Sequence, residues 1–280
     1  MRNNNDYIHL LFTADEKYAG RIPVVLQSLY INDSNNLFHI HLIYDSISEE
    51  LIYKLENFCK KLGYYFSAYR IREKYFSNAP VNKHYSEMMY YRLLAADILP
   101  KSIDRVIYLD PDILLINSIE PLWKMDLEGK IFAAASHTEE KRILDNINKL
   151  RLGISSAYFN TGVLLMDLTK CRTEIVLDEI ISFIEKNGNR LLLPDQDVFN
   201  ALYSKFVKLI PDEIWNYDVR KYTQYYIKSS GMIDENWIIQ NTVILHYCGK
   251  DKPWNKQYKY RFADLYRHYQ QLCKRKGYSI

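Results

Sequence analysis

A chain of 280 residues, 48% of them hydrophobic, can bury a full core, and one large domain, alone or with an appendage, suits that length better than two independent units. The formal net charge of +3 is too small for bulk nucleic-acid binding, and the basic residues stay spread out until the end of the chain. Cys59, Cys171, Cys248 and Cys273 form no Cys-x-x-Cys pair, the start Met1-Arg2-Asn3-Asn4-Asn5 lacks a signal-peptide core, and no uncharged apolar run approaches the roughly 18 residues of a membrane span, so a cytoplasmic protein, soluble or peripheral, is expected.

The first half alternates strand and helix. The pattern predicts a buried strand over 7–13, a helix over 22–31 with Pro23 in its first turn, and a strand over 38–44. Ser48, followed by Glu49 and Glu50, predicts a helix start; Leu51, Leu55, Phe58 and Leu62 supply its apolar stripe, and Gly63 stops it. A strand over 64–69 and a helical period over 87–99, ending at Pro100, lead into the run that begins at Val106. Four such alternations predict an α/β fold with a mostly parallel, Rossmann-like sheet flanked by helices, and sheets of this kind bind ligands at the carboxyl ends of their strands. The second half is less regular: strands over 131–135 and 162–168, helices over 174–186 and 195–203, and a short strand over 243–245, with mixed strand direction.

The most informative segment is Val106-Ile107-Tyr108-Leu109-Asp110-Pro111-Asp112-Ile113-Leu114-Leu115, an apolar strand interrupted by two carboxylates. In extended chain alternate side chains share a face, so Asp110 and Asp112 can hold one cation together. Pro111 offers no N–H to a ladder and biases Asp110 towards extended backbone, so regular pairing should stop there. The competing reading is a turn whose acids are simply solvated.

Three further clusters carry polar groups at element ends. His246-Tyr247-Cys248-Gly249-Lys250-Asp251-Lys252-Pro253-Trp254 follows the 243–245 strand and combines an imidazole, a glycine that permits close approach to a ligand, and two lysines, which suits a diphosphate; alone, a histidine in the place of His246 is more often a structural hydrogen-bonder than a ligand. Two Asp oxygens, one His nitrogen and phosphate oxygens suit octahedral Mn²⁺ or Mg²⁺, and the imidazole favours Mn²⁺. Leu193-Pro194-Asp195-Gln196-Asp197-Val198-Phe199-Asn200 opens a helix with more polar groups than capping needs, and Phe159-Asn160-Thr161-Gly162 precedes a buried strand.

Together these motifs, from Leu11-Phe12-Thr13-Ala14-Asp15 through Tyr90-Tyr91-Arg92-Leu93, Asp110-Pro111-Asp112, Asn160-Thr161-Gly162 and Asp195-Gln196-Asp197 to His246-Tyr247-Cys248-Gly249 and Lys252-Pro253-Trp254, resemble the retaining glycosyltransferases of family 8, which have a GT-A fold. The resemblance covers about 240 residues in matching order. It implies that Asp110, Asp112 and His246 hold Mn²⁺, with Mg²⁺ as the alternative. It implies that Thr13, Ala14 and Asp15 contact uridine, that Gly249 and Lys252 contact the diphosphate, and that Arg92, Asp110, Asn160, Asp195 and Gln196 hold the donor sugar, with Gln196 and Asp195 at the reacting carbon. Two positions depart from the family pattern. Lys17 stands where some members have a nucleotide-contacting Asn, and Ser136-His137-Thr138 stands where a galactosyltransferase of the group has an acceptor-binding Asp.

The reaction implied is transfer of a glucose or galactose unit from a UDP-sugar to a hydroxyl of a glycan, glycolipid or glycoprotein, with retention. Retention through a covalent intermediate on Asp195 and retention by same-face attack both stay open. Rival readings are a non-catalytic sugar-nucleotide or glycan-binding module on the same fold, a nucleotidyltransferase, which the lack of glycine in Leu11–Lys17 disfavours, and self-glycosylation on one of the 25 tyrosines. No internal repeat or linker marks a boundary, and the expected organisation is a catalytic domain over 1–253 with a basic, aromatic tail over 254–280. That tail reads either as an amphipathic helix packed on the core or as a foot on the inner face of a membrane.

Overall fold

The structure is a computed structural model that describes residues 7–73, 75–76, 79, 87–136 and 148–278. Its strands are β1 (Ile8–Thr13), β2 (Phe38–Tyr44), β3 (Tyr65–Arg70), β4 (Arg105–Leu109), β5 (Ile113–Leu115), β6 (Phe132–Ala135), β7 (Val163–Asp167), β8 (Val207–Ile210), β9 (Tyr217–Asp218) and β10 (Ile244–His246). The longer helices are α1 (Ile22–Asn32), α2 (Glu49–Lys61), α3 (Leu177–Asn187), α4 (Pro194–Tyr203) and α5 (Ala263–Arg275).

Seven strands form one sheet in the order β3-β2-β1-β4-β7-β6-β8, and β5-β10-β9 form a second. The first-half strands pair in parallel, whereas β7 runs antiparallel to both β4 and β6, so the expected mixed character begins at β7. Along β1 the side chains alternate between two cores: Leu10 and Phe12 join Val24, Val25 and Leu29 of α1 and Leu55 and Phe58 of α2, while Leu11 joins Tyr108, Val198 and Phe199. Burial on both faces explains why these strands read as continuous apolar runs. Ser48 caps α2 by accepting a bond from the Leu51 N–H at 3.3 Å, as its sequence predicts.

Three expectations are adjusted. The 87–99 segment is a 3₁₀ helix over Glu87–Leu94 followed by an α turn over Ala95–Ile98. Met88 through Leu94 are all buried, so packing on every side, with no solvent face, sets its winding. The expected helix over 174–186 begins at Leu177, because Ile175 and Val176 are extended and separate it from the helix Leu168–Glu174. The Val106 run divides at Asp110-Pro111-Asp112, β4 staying in the large sheet and β5 crossing to the small one to pair with β10.

The tail is folded. Tyr258, Tyr266, Tyr269 and Tyr278 are buried in the core that holds α1 and α2. Asn32 of α1 donates to the Tyr269 hydroxyl at 2.8 Å, and Tyr278 packs edge-on to Phe58 of α2 with ring centroids 5.4 Å apart. These aromatics therefore face the protein. Lys274 and Arg275 remain exposed.

Candidate active site

Strand ends create the site. β1 stops at Thr13 and β4 at Leu109, so Asp15 and Asp110 leave the same edge of the sheet, and the small sheet brings Asp112 and His246 to it through the β5–β10 pair. Asp110, Asp112 and His246 each offer a ligand atom, all within 4.8 Å of one another. His246 Nε2 lies 3.4 Å from Asp112 Oδ1 and 3.8 Å from Asp110 Oδ2. A cradle adjoins them at Gly162, where an added Cβ would collide with the His246 ring and stand 2.6 Å from Asp110 Oδ2. Two carboxylates and one imidazole fit a divalent cation, and the missing Cβ of Gly162 is what lets His246 and Asp110 come this close to the backbone.

Buried charge is balanced around this group. The Lys252 ammonium bonds the Asp112 carboxylate and the Tyr247 carbonyl, the latter at 3.0 Å. Burial alone would raise the Asp112 pKa, but Lys252 and then His246 outweigh it and hold the carboxyl well below its ordinary range. Burial likewise opposes charge on His246, yet Cys248 and Asp112 leave its pKa well above that of a free imidazole. Without a metal, the site is a closed set of acid and base.

His246 is aimed by amides. Asn216 Nδ2 donates to Asn160 Oδ1 at 2.9 Å, so Asn216 Oδ1 faces His246 and accepts from its Nδ1 at 2.7 Å. Nδ1 thus keeps its proton, and Nε2 is the nitrogen turned to Asp112. Asn160 extends the chain, accepting from the Gly162 N–H at 2.9 Å and donating to Gln196 Oε1 at 3.0 Å.

Arg92 joins the metal-type cluster to the head of α4. Its guanidinium lies 3.1 Å from Asp110 and 3.4 Å from Asp195, donates to the Thr161 carbonyl at 2.8 Å, and stacks over Tyr108 at 4.3 Å. Tyr108 donates to Asp110 at 2.7 Å and touches Thr13 Oγ1 at 3.2 Å. Asp195 accepts from Thr161 at 3.2 Å; burial pushes its carboxyl pKa up, with Arg92 opposing.

The remaining expected residues flank this centre. Asp15 caps the short helix Glu16–Ala19 by accepting from the Tyr18 N–H at 2.9 Å, and Ala14 is buried behind it. Gly249 has φ +91°, and the place a Cβ would take is filled by the Arg220 guanidinium, itself paired with buried Asp218 at 2.6 Å. Lys17 is exposed. Ser136 donates to the Tyr158 carbonyl at 2.8 Å, while His137 and Thr138 lie outside the described residues.

Asp197 has a structural task. It is fully buried, gripped by Arg151 through two bonds of 2.7 and 2.8 Å, by the Tyr158 hydroxyl at 2.6 Å and by the Leu192 and Leu193 N–H groups. Asn216 and Arg220 escape a reading of the sequence, and Tyr108 and Thr161 stand in its motifs without a role of their own. Asn216 had one weak signal, a polar residue set between two aromatics, Trp215 and Tyr217.

Comparison with known proteins gives a consistent result. The profile of Glycosyl transferase family 8 matches residues 9–258. The chain is 28% identical to general stress protein A of Bacillus subtilis (strain 168), over 96% of this chain and 95% of that one. It is 26% identical to a lipopolysaccharide 1,2-glucosyltransferase of Escherichia coli (strain K12), over 95% and 78%. A crystal structure of the galactosyltransferase LgtC in complex with donor and acceptor sugar analogues superposes with a TM-score of 0.80 at 25% identity, covering 95% of this chain and 96% of that one. The fold is therefore GT-A, and the chain belongs to glycosyl transferase family 8.

Proposed function

We propose that this glycosyltransferase moves a hexose, glucose or galactose, from a UDP-sugar to an acceptor hydroxyl on a glycan, glycolipid or glycoprotein with retention, using Mn²⁺. The observation that carries the reading is the meeting of Asp110, Asp112 and His246 within 4.8 Å, bridged by Arg92 to Asp195 at the head of α4. A divalent cation bound there supplies positive charge to the diphosphate as it leaves. Asp110, Asp112 and His246 would hold it, with Mg²⁺ as the alternative ion.

The chain's own groups do the rest. Thr13, Ala14 and Asp15 hold the uridine at the end of β1. Lys252 would set its positive charge beside the leaving diphosphate, and the Gly249 backbone would contact it. Arg92, Asp110, Asn160, Asp195 and Gln196 hold the donor sugar. Asp195 is occupied by Arg92 and Thr161, which lowers its nucleophilicity and favours same-face attack over a covalent intermediate. Trapping a glycosyl adduct on Asp195 would overturn that preference.

The catalytic domain is proposed to span 1–253. With Tyr258, Tyr266, Tyr269 and Tyr278 turned inward and Tyr260 exposed, contact with an anionic inner membrane surface rests on Tyr260 and on exposed bases such as Lys274 and Arg275, each base worth about 1 kcal/mol near such a surface. Replacing both by Ser should weaken vesicle binding; unchanged binding rejects the contact.

The deciding experiment is calorimetric titration of UDP with and without Mn²⁺, on the wild type and on Asp112→Asn, followed by a panel of UDP-sugars. Binding that needs Mn²⁺ and vanishes in the variant supports the donor site, and turnover should fall on the order of a thousandfold or more. No UDP binding under any metal condition rejects the reading in favour of a binding module for another ligand.

A further inference from the structure

A second cluster of ligating side chains lies away from the donor site. His9 of β1 stands opposite His39 of β2 in the parallel register, and His41, two residues on, shares their face. One ring nitrogen from each falls within 4.8 Å of the others, and among the described residues this is the one such group besides Asp110, Asp112 and His246. His9 is four residues before Thr13, so about 13 Å of strand separates the two groups.

The three rings lie together: His39 and His41 stack with centroids 4.1 Å apart at 30°, and His9 and His41 at 5.2 Å and 28°. His9 Nδ1 and His41 Nε2 face each other at 2.9 Å. The outward nitrogens of the β2 pair are held by β3: His41 Nδ1 meets the Tyr69 hydroxyl at 3.1 Å, and His39 Nε2 meets Ser67 Oγ at 2.8 Å. Metal-bound histidines characteristically have their second nitrogen fixed in this way. A tetrahedral ion with bonds of about 2.0–2.1 Å needs nitrogens about 3.3 Å apart, so His9 and His41 must part by a few tenths of an ångström, and half-buried His39, with a nitrogen within 4.8 Å of both, turns to complete the set. His9 and His41 are buried and Trp123 lies 6.0 Å from the His9 ring, while His39 is half-buried and provides a route for the ion and a water as fourth ligand.

We propose that His9, His39 and His41 form a transition-metal site that takes Zn²⁺ and clips β1 to β2. Three imidazoles with no carboxylate favour Zn²⁺ over the Mn²⁺ or Mg²⁺ that suits the Asp110 group, so the chain carries two cation sites of different chemistry. The ion is structural here: the side chains that meet the cluster from β3 and beyond are Ser67, Tyr65, Tyr69 and Trp123, and the Ser67 and Tyr69 hydroxyls are engaged by the histidines themselves.

The test uses full-length, untagged, metal-stripped protein titrated with Zn²⁺ and then with Co²⁺ as a spectroscopic probe. Asp112→Asn, which weakens the donor group, should still bind one equivalent, show the intense visible bands of tetrahedral Co²⁺, and unfold at a higher temperature with Zn²⁺ than with chelator. His39→Gln, at the half-buried position, should lose that equivalent, the bands and the thermal shift while keeping the wild-type circular dichroism. Zinc X-ray absorption on Asp112→Asn reads the ligands directly, with three imidazoles expected, and serves if His39→Gln does not fold. Failure of Asp112→Asn to bind Zn²⁺, equal binding by folded His39→Gln, or an absorption spectrum without imidazole scattering would each overturn the proposal.

Discussion

Asn216 Oδ1 accepts the Nδ1 proton of His246 at 2.7 Å, and this single bond determines which nitrogen of His246 faces the two aspartates. Asn216 is wholly buried and is itself oriented by Asn160. Asn216→Leu removes the acceptor while keeping the volume. We expect Mn²⁺ affinity to fall about 10–100-fold, the range for loss of an outer partner of a ligating histidine. Titration of Mn²⁺ by electron paramagnetic resonance checks this, and unchanged affinity in a folded variant would show that packing alone aims the ring.

The Lys252–Asp112 pair predicts an opposite response to metal. Both side chains are about nine-tenths buried, at 11% and 8% exposure, so Lys252→Met leaves the Asp112 carboxylate with His246, and Arg92 behind it, as counter-charge. Breaking a buried pair costs about 3–5 kcal/mol, and the remaining imidazole places this case at the lower end. Saturating Mn²⁺ should then raise the melting temperature of Lys252→Met by more than that of the wild type, because the ion replaces a charge the variant lacks. Equal shifts in the two proteins would mean that Lys252 and the ion do not share Asp112.

What could be read from the sequence follows from where the information is local. The edge of the large sheet was legible because β1 and β4 are apolar runs that end in acids, and Asp110, Asp112 and His246 were legible because carboxylates and imidazoles at strand ends are chemically conspicuous. The pairing of β5 with β10, which brings Asp112 to His246 across more than 130 residues of chain, leaves no local mark. Neither does the inward turn of the tail: Tyr266 and Tyr269 have the same composition whether they meet lipid or α1, and only the third dimension supplies Asn32 as a partner. Asn216 was missed for the same reason, since a buried amide matters through what it touches.

Asp197 sits one turn of polar residues from the reacting groups, yet its bonds run away from them. Arg151, Tyr158 and the Leu192 and Leu193 N–H groups tie the segment before α4 to the helix. Asp197→Ala leaves Arg151 and two backbone donors unsatisfied, and a loss of about 3–5 kcal/mol in urea unfolding is expected. Asp195→Ala, two residues earlier, should instead abolish turnover with a smaller change in stability. The reverse order of effects would exchange the two roles.

The His9–His39–His41 cluster makes the metal-free protein sensitive to acid. Burial first, and the neighbouring imidazoles second, pull the His39 pKa down to about 4 and the His41 pKa down to about 2, against about 6.5 in an unfolded chain. The groups facing His41 are His9, His39 and the Tyr69 hydroxyl, none of which offers negative charge at neutral pH. At these two histidines the folded chain therefore binds fewer protons than the unfolded one below pH 6.5, while His246, held above its free value, acts in the opposite sense. Their contribution to stability is full above that value and declines as the pH falls from 6.5 towards 4, and for His41 further still, with a limiting slope of about 1.4 kcal/mol per pH unit for each histidine. Urea unfolding with chelator between about pH 7.5 and about pH 5, which spans the free imidazole pKa, should show this decline in the wild type relative to variants that lack the histidines. His41→Gln keeps a hydrogen-bonding amide but cannot titrate, so its curve should be flatter; parallel curves would mean that the acid sensitivity arises elsewhere in the chain.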